Sequence, residues 1–479
     1  MIQAKHFTRR PCQQPMVEHG LKNLRCGIWA GCGLGKTSAV FDILDNLNLT
    51  QDVYPAIALG PLRVARSTWT EEAQKWSEFR HIGISPVVGT EQERLHALKQ
   101  PADIYPMNYE NLPWLEKVLG DKWPFVTCIA DEATRLKSFR IRQGGARARA
   151  LKRYAFTKVK RFIELTGTPS PQGMQDLWGQ LWFLDQGQRL GRTFTAFEGR
   201  WFVYRRRKDA FTHKEYVETV ILPHAQAEIH ERIRDICLSV DAKDYFDLKD
   251  PIVIPVYVEL DPRSRALYRA MEKELFLQIE GHDVEAFNAA SKTNKCLQLA
   301  NGAIYIDRDV ESDLDPRAKE WKVVHDLKIE ALESVIEEAN GMPVLVAYNF
   351  KSDLARLKKA FPSGRLIATK KDEDDFKAGK IAIGFAHPAS LGHGVDGFQY
   401  ATNIGIFFGL TWNLENWMQF IERFGPVRQM QAGLDRNVFV YLIIARGTVD
   451  EDVITRQETK RGVQDILLES MKKRRILNA

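Results

Sequence analysis

Gly33-Leu34-Gly35-Lys36-Thr37 follows a mostly apolar run, Leu24 to Trp29, and precedes a helical pattern from Ser38 to Leu47. A buried strand, a glycine-rich turn and a Lys-Thr pair opening a helix form a cradle for phosphate. The glycines let backbone N–H groups turn onto phosphate oxygens, and the helix N-terminus adds its positive dipole end. Lys36 would reach the β- and γ-phosphates of ATP, and the Thr37 hydroxyl would ligate Mg²⁺. Ala30 stands where the usual G-x-x-x-x-G-K-[ST] pattern has its first glycine. The same residues also fit an ordinary strand-turn-helix joint; the flanking strand and helix favour the nucleotide site.

A second apolar run, Phe125 to Ala130, ends in Asp131-Glu132-Ala133-Thr134. A carboxylate at the C-terminal edge of a strand beside a phosphate loop is where Mg²⁺ needs a protein ligand, which gives Asp131 the metal and Glu132 the attacking water. Alone, the Asp-Glu pair reads as a cap on the next helix. Paired with the glycine loop, it reads as hydrolytic.

Between Arg135 and Arg161 stand eleven Lys or Arg residues in 27 positions, with no Asp or Glu. Arg147, Arg149 and Lys152 lie at the heart of this segment, interleaved with Gly144-Gly145 and Tyr154. Such density favours a polyanion and strongly salt-dependent binding; the plainer reading is a solvated helical face. A second basic knot, Arg205 to Lys208, is either a DNA-facing protrusion or a surface loop, and Lys472 to Arg475 reads as a frayed tail. Trp178, Trp182, Trp412 and Trp417 read as packing residues, and His393 gives no metal signal.

These residues need elements to position them. Strand-like runs at 24–29, 55–60, 102–107, 125–131 and 161–166 alternate with helical patterns, the signature of a parallel sheet covered on both faces. The alternation returns from about residue 321, at Val344–Tyr348, Leu366–Ala368, Ile381–Phe385, Ile404–Phe408 and Val438–Ile444. Between them, residues 187–320 read as a helical insertion and linker, with Ser264–Ile279 helical. The expected domains are therefore 1–186, 187–320 and 321–479, consistent with 479 residues. Net charge is only +6, so nucleic-acid affinity must come from local clusters. No apolar run approaches the roughly 18 residues of a membrane span, and no signal-peptide pattern opens the chain. Six cysteines, without C-x-x-C pairing, point to neither zinc nor disulfides and suit a reducing cytoplasm.

Taken in order, the motifs resemble superfamily 2 helicase-type ATPases, and among them the Swi/Snf branch of double-stranded DNA translocases. Arg10-Pro11-Cys12-Gln13 resembles the upstream adenine-recognition element, and Ala30 to Thr37 the phosphate loop. Gly60-Pro61-Leu62 with Trp69 and Trp76, and Asn108-Tyr109-Glu110, resemble the next two motifs. Asp131 to Ser138 is similar to the D-E-A-H-R-L-K-N box, with Thr134 for His and Ser138 for Asn. Leu165-Thr166-Gly167-Thr168-Pro169 resembles the coupling motif. Gly392-His393-Gly394-Val395-Asp396, Gln419 to Gln429 and Gly447 to Glu451 stand where the closing motifs belong.

The resemblance implies two RecA-like α/β lobes with ligand in the cleft between them. It gives Gln13 the adenine base, and it assigns lobe coupling or DNA-backbone contact to Thr166, Thr168, Gly392 and Gly394. It gives Arg423 and Arg428 the γ-phosphate. The usual last motif runs Q-x-x-G-R-x-x-R-x-G-Q; here Glu422 replaces its first glycine, Pro426 its second arginine, and Arg428 its second glycine. The basic segment gains weight from lying between the metal-binding strand and the coupling motif. The expected enzyme uses ATP and Mg²⁺ to move along or remodel duplex DNA, and its compact length resembles phage or bacterial members. The rivals are a strand-separating or annealing helicase at forks and, from another class, a non-hydrolysing DNA-binding adaptor. Intact Lys36, Asp131 and Glu132 speak against the adaptor.

Overall fold

The computed structural model describes residues 5–31, 33–142, 145–167, 169–170, 173–208, 215–245, 248–280, 293–305, 320–391 and 396–459. Cys32, Thr168, Gly392, His393, Gly394 and the tail Lys472 to Arg475 lie outside them. By internal contacts the chain separates into two units, 1–207 with 217–247, and 208–216 with 248–479.

In the first unit, short runs of apolar residues buried on both faces form the strands β1 (Arg25–Ala30), β2 (Ala56–Gly60), β3 (Ile104–Asn108), β4 (Thr127–Asp131) and β5 (Arg161–Thr166). Burial on both faces is what a parallel sheet with helical crossovers demands. After a separate two-stranded sheet of β6 (Phe202–Lys208) and β7 (Glu215–Ile221), β8 (Cys237–Val240) completes the sheet in the order β3-β2-β4-β5-β1-β8. All its pairings are parallel. Trp29 lies opposite Thr166, and Asp131 opposite Leu165, so the C-terminal ends of β1, β4 and β5 align along one edge.

The second unit repeats this plan. Its strands are β9 (Ile252–Val258), β12 (Val344–Ala347), β13 (Arg365–Leu366), β14 (Ile383–Ala386), β15 (Ile404–Phe407) and β16 (Phe439–Ala445), ordered β13-β14-β12-β15-β16-β9, again all parallel. A small antiparallel pair, β10 (Ala303–Tyr305) and β11 (Trp321–Val323), lies outside that sheet. The two expected parallel-sheet lobes are thus present, and the strands that the sequence marked begin and end within about two residues of the expected runs. Residues 187–320, read as helical, supply an edge strand to each sheet, β8 to the first and β9 to the second. The basic knot from Arg205 falls on β6, where Arg205 and Arg206 are exposed.

Packing explains the tryptophans. Trp178 and Trp182 are buried with Phe139 and Phe183, and the Trp178 indole donates to the Gly191 carbonyl at 2.8 Å. Trp417 stacks on Phe407 with centroids 4.1 Å apart, and Trp412 donates to Thr293 Oγ1 at 2.9 Å. The cysteines at 12, 26, 128, 237 and 296 are buried and unbridged. Among the described residues, no helix is long and apolar enough to cross a membrane.

Candidate active site and nucleic-acid surface

The loop after β1 is shaped by its glycines. Gly33 and Gly35 have φ of 81° and 80°, a region that residues with a Cβ enter only at a cost. Helix Lys36–Asn48 starts directly at Gly35, which places Lys36 and Thr37 in its first turn, where backbone N–H groups point outward without intrahelical partners. Lys36 Nζ donates to the carbonyls of Ala30 at 2.6 Å and Gly31 at 3.1 Å, so its charge is held over the loop.

Gln13 fixes the loop from outside. It is 2% exposed, and its amide nitrogen donates to the Gly35 carbonyl at 3.0 Å and to Ser38 Oγ at 2.9 Å, while its amide oxygen accepts from the Arg10 N–H at 2.9 Å. A Cβ on Gly35 would sit 2.4 Å from that nitrogen, so a side chain there would have to displace the Gln13 amide in addition to adopting the unfavourable φ. Arg10 donates to the Gly33 carbonyl at 3.1 Å, and Arg9 forms a two-point pair with Asp42. These arginine contacts were not legible in the sequence, since only Gln13 was marked by the resemblance.

Asp131 closes β4 at the same sheet edge. Burial raises its carboxyl to about 6, against the pull of the Lys36 charge and a hydrogen bond from the Glu132 N–H. A carboxylate that burial disfavours and a cation draws back is suited to a divalent metal, which would stabilise its charged form. The next residue, Glu132, is 6% exposed and adopts a left-handed backbone, φ 61° and ψ 58°. For a residue with a Cβ this conformation costs roughly 1–2 kcal/mol, a strain that turns the side chain away from the regular strand path. Thr166, fully buried at the end of β5, donates to Glu132 Oε1 at 3.4 Å. Tyr109 OH donates to the Asp131 carbonyl at 3.1 Å. The coupling motif is in turn tied down by Gln180, whose amide donates to the Pro169 carbonyl. Helix Asp176–Asp185 approaches the turn after Glu132 so closely that a Cβ on Gly179 would lie 2.3 Å from the Lys137 carbonyl oxygen. The glycine loop after β1, Asp131, Glu132 and Thr166 therefore share one edge of one sheet.

The basic segment divides into structural and solvent-facing members. Arg161, 3% exposed, donates to the Gly20 and Asn23 carbonyls at 2.8 and 2.9 Å. Arg140 stacks on Phe194, 3.3 Å from the ring centroid, and donates to the carbonyls of Lys137 and Phe139. Helix Ala146–Ala155 buries Ala148, Leu151 and Ala155 and leaves Arg147, Arg149 and Arg153 exposed. Arg147 pairs with Glu110 at 2.9 Å, and Arg153 with Glu116 and Asp121 at 3.3 and 3.0 Å. Lys152 is half-buried, 3.5 Å from the Ile141 carbonyl. Arg149 is exposed and has no acidic partner among the described residues. Sequence counting could not separate these roles, because a charge tally carries no neighbours.

In the second unit, Gly425 caps helix Pro426–Gln431 and Pro426 occupies its first position, where a missing N–H costs nothing. Arg423 is 3% exposed and its Nε donates to the Gln419 carbonyl at 3.2 Å. Arg428 donates to the Glu422 carbonyl at 2.9 Å and forms an ion pair with Asp396, which joins two of the closing motifs. Gln429 donates to the Thr402 and Phe424 carbonyls at 2.8 and 2.9 Å. Asp450 of the last motif is fully buried against Lys328, 2.7 Å away, so its place is in the core.

A family model described as SNF2-related domain matches residues 22–304. The chain is similar to putative protein p41 of Acyrthosiphon pisum secondary endosymbiont phage 1, 48% identical over 473 residues, covering 98% of this chain and 100% of that protein. It is 22% identical over 475 residues to protein CHROMATIN REMODELING 5 of Arabidopsis thaliana, covering 92% of this chain and 26% of that one. Among solved structures it is similar to a Sulfolobus solfataricus SWI2/SNF2 ATPase core in complex with dsDNA, at 20% identity and TM-score 0.43, covering 99% of this chain and 97% of that one.

Proposed function

The chain belongs to the SNF2-related domain family, and from that premise we propose that it is a Mg²⁺- and ATP-dependent enzyme that couples hydrolysis to movement along duplex DNA. Lys36 binds the phosphates, Thr37 and Asp131 hold the metal, Glu132 orients the attacking water, and Gln13 reads the base. Bound Mg²⁺ would supply charge to the phosphates and fix their orientation. Thr166 would keep the Glu132 carboxylate aimed. Arg423, with Arg428 as the second candidate, would add charge to the γ-phosphate in the transition state. Arg147, Arg149 and Lys152 would meet the DNA backbone; Thr168, Gly392 and Gly394 would couple or contact DNA as the family pattern has them.

One observation supports this reading above the others. The phosphate loop and the Asp131–Glu132 pair meet at one sheet edge, where the Thr166 hydroxyl bonds to the Glu132 carboxylate at 3.4 Å. A DNA-binding adaptor has no need of a strained, buried glutamate held against a threonine. The test is steady-state ATP turnover with duplex, single-stranded and forked DNA at matched nucleotide concentration. Stimulation greatest with plain duplex is expected. Greatest stimulation by forks would favour strand separation or annealing, and absence of turnover with every substrate would sink the enzymatic reading.

A further inference from the structure

Glu110 is an acid set against the basic surface. It lies in the short turn Tyr109–Asn111 that follows β3, and its side chain is 45% exposed. Its Oε1 accepts from Arg147 at 2.9 Å and lies 3.5 Å from the Arg135 guanidinium; its Oε2 accepts from the Asn108 amide at 3.0 Å. Asn111 donates to the other end of the Asn108 amide at 2.7 Å, so the turn is internally braced. Partial burial pushes the Glu110 carboxyl up, but hydrogen bonds from Asn108 and from its own backbone N–H, together with the charges of Arg147 and Arg135, hold it below its ordinary value.

The neighbouring residue points the other way. Tyr109 is 1% exposed and its hydroxyl donates to the carbonyl of Asp131. That carbonyl belongs to the peptide joining the proposed metal ligand to the left-handed Glu132. Arg135 lies in the 3₁₀ turn that Glu132 caps. A single turn thus touches the cationic surface with one residue and the hydrolytic peptide with the next.

We propose that the Tyr109–Glu110 turn reports occupancy of the basic surface to the hydrolytic centre. Glu110 is the anion that holds Arg135 and Arg147 when no DNA is present, and Tyr109 is a positioning residue for the Asp131–Glu132 peptide. A phosphodiester and a carboxylate compete for the same guanidinium fork. When a backbone phosphate takes Arg147 and Arg135, Glu110 is released, the braced turn shifts, and the grip of Tyr109 on the Asp131 carbonyl changes with it. The inference rests on the proposed reading of this chain as a DNA-stimulated ATPase.

The experiment uses the full chain and a fluorescein-labelled blunt duplex, with anisotropy for binding and phosphate release for turnover. An exposed ion pair of this kind is worth at most a modest effect, so Glu110→Gln should tighten duplex binding about two- to fivefold at low salt. The gain should vanish at high salt, where such pairs are screened. The same variant should raise DNA-free turnover towards the stimulated rate. Tyr109→Phe should bind the duplex as the parent does yet lose most of the stimulation in kcat. Parental values in either property of Glu110→Gln, or full stimulation in Tyr109→Phe, would overturn the relay. If the parent itself ignores duplex DNA, the functional reading fails and the relay falls with it, a result distinct from a responsive parent with silent variants.

Discussion

Substituting Gly35 by Ala tests whether the phosphate loop is held in shape by Gln13. Two costs can be separated. At φ 80° a Cβ costs roughly 1–2 kcal/mol whatever surrounds it. The new Cβ also lies 2.4 Å from Gln13 Nε2, so that side chain must leave its hydrogen bonds to the Gly35 carbonyl and Ser38 Oγ. At about 0.5–1.5 kcal/mol each, their loss adds roughly 1–3 kcal/mol. Binding of nucleotide must restore the loop against this sum, about 2–5 kcal/mol, so affinity should fall between thirtyfold and a few thousandfold. In a Gln13→Ala background the second cost is absent, and the same substitution should weaken binding only about five- to thirtyfold. Equilibrium titration of all four proteins with a fluorescent ATP analogue and Mg²⁺ completes the cycle. If Gly35→Ala cost the same in both backgrounds, Gln13 would not be the brace.

The hydrolytic core predicts that Lys36→Ala abolishes nucleotide binding or turnover, while Glu132→Gln keeps binding and loses hydrolysis; parental ATP turnover in Glu132→Gln would remove the water-orienting role. For the basic segment, the slope of log K against log salt should drop by roughly two to three units in the Arg147, Arg149 and Lys152 triple variant, with Arg149 alone accounting for about 0.9. An unchanged slope would mark a solvated helical face. Arg423→Ala and Arg428→Ala should each lower kcat about 10³-fold or more with nucleotide binding retained, and near-normal kcat in Arg428→Ala would leave that residue only its link to Asp396. Burial, aided by the charges of Arg356 and Lys328, keeps the His325 imidazole neutral down to about 4. The unfolded chain therefore takes up a proton between about pH 6.5 and 4 that the folded chain does not, and stability falls as pH falls through that window. His325→Gln should flatten this fall in thermal midpoint, and a parental pH slope would refute the assignment.

The parallel sheets were legible because each central strand is a short apolar run between turn and helix signals. β8 and β9 were not. The four residues of β8 follow a charged helical stretch, and β9 pairs with β16, far along the chain, so its partner is invisible to local pattern. At the site, the loop glycines, Asp131 and Glu132 were legible from type and spacing. The left-handed backbone of Glu132 and the grip of Tyr109 on the Asp131 carbonyl were not, since no residue-type rule marks them. Likewise Arg161 and Arg140 look like their solvent-facing neighbours until the carbonyls that they satisfy are brought in by the fold.

The placement of β9 also sets a schedule for biosynthesis. Its run Ile252-Val253-Ile254-Pro255-Val256-Tyr257-Val258 is made long before β16, its hydrogen-bonding neighbour in the finished sheet. At roughly 5–20 residues per second, β16 follows it from the ribosome on the order of ten to forty seconds later. Through that interval an apolar strand has no mate, and Val253 and Tyr257 stay 53% and 49% exposed even after folding. Pro255 in mid-strand removes one N–H and so spoils the template for a wrong strand. Replacing Pro255 by Val would extend the apolar run and leave the nascent chain more prone to pairing with its siblings on a polysome.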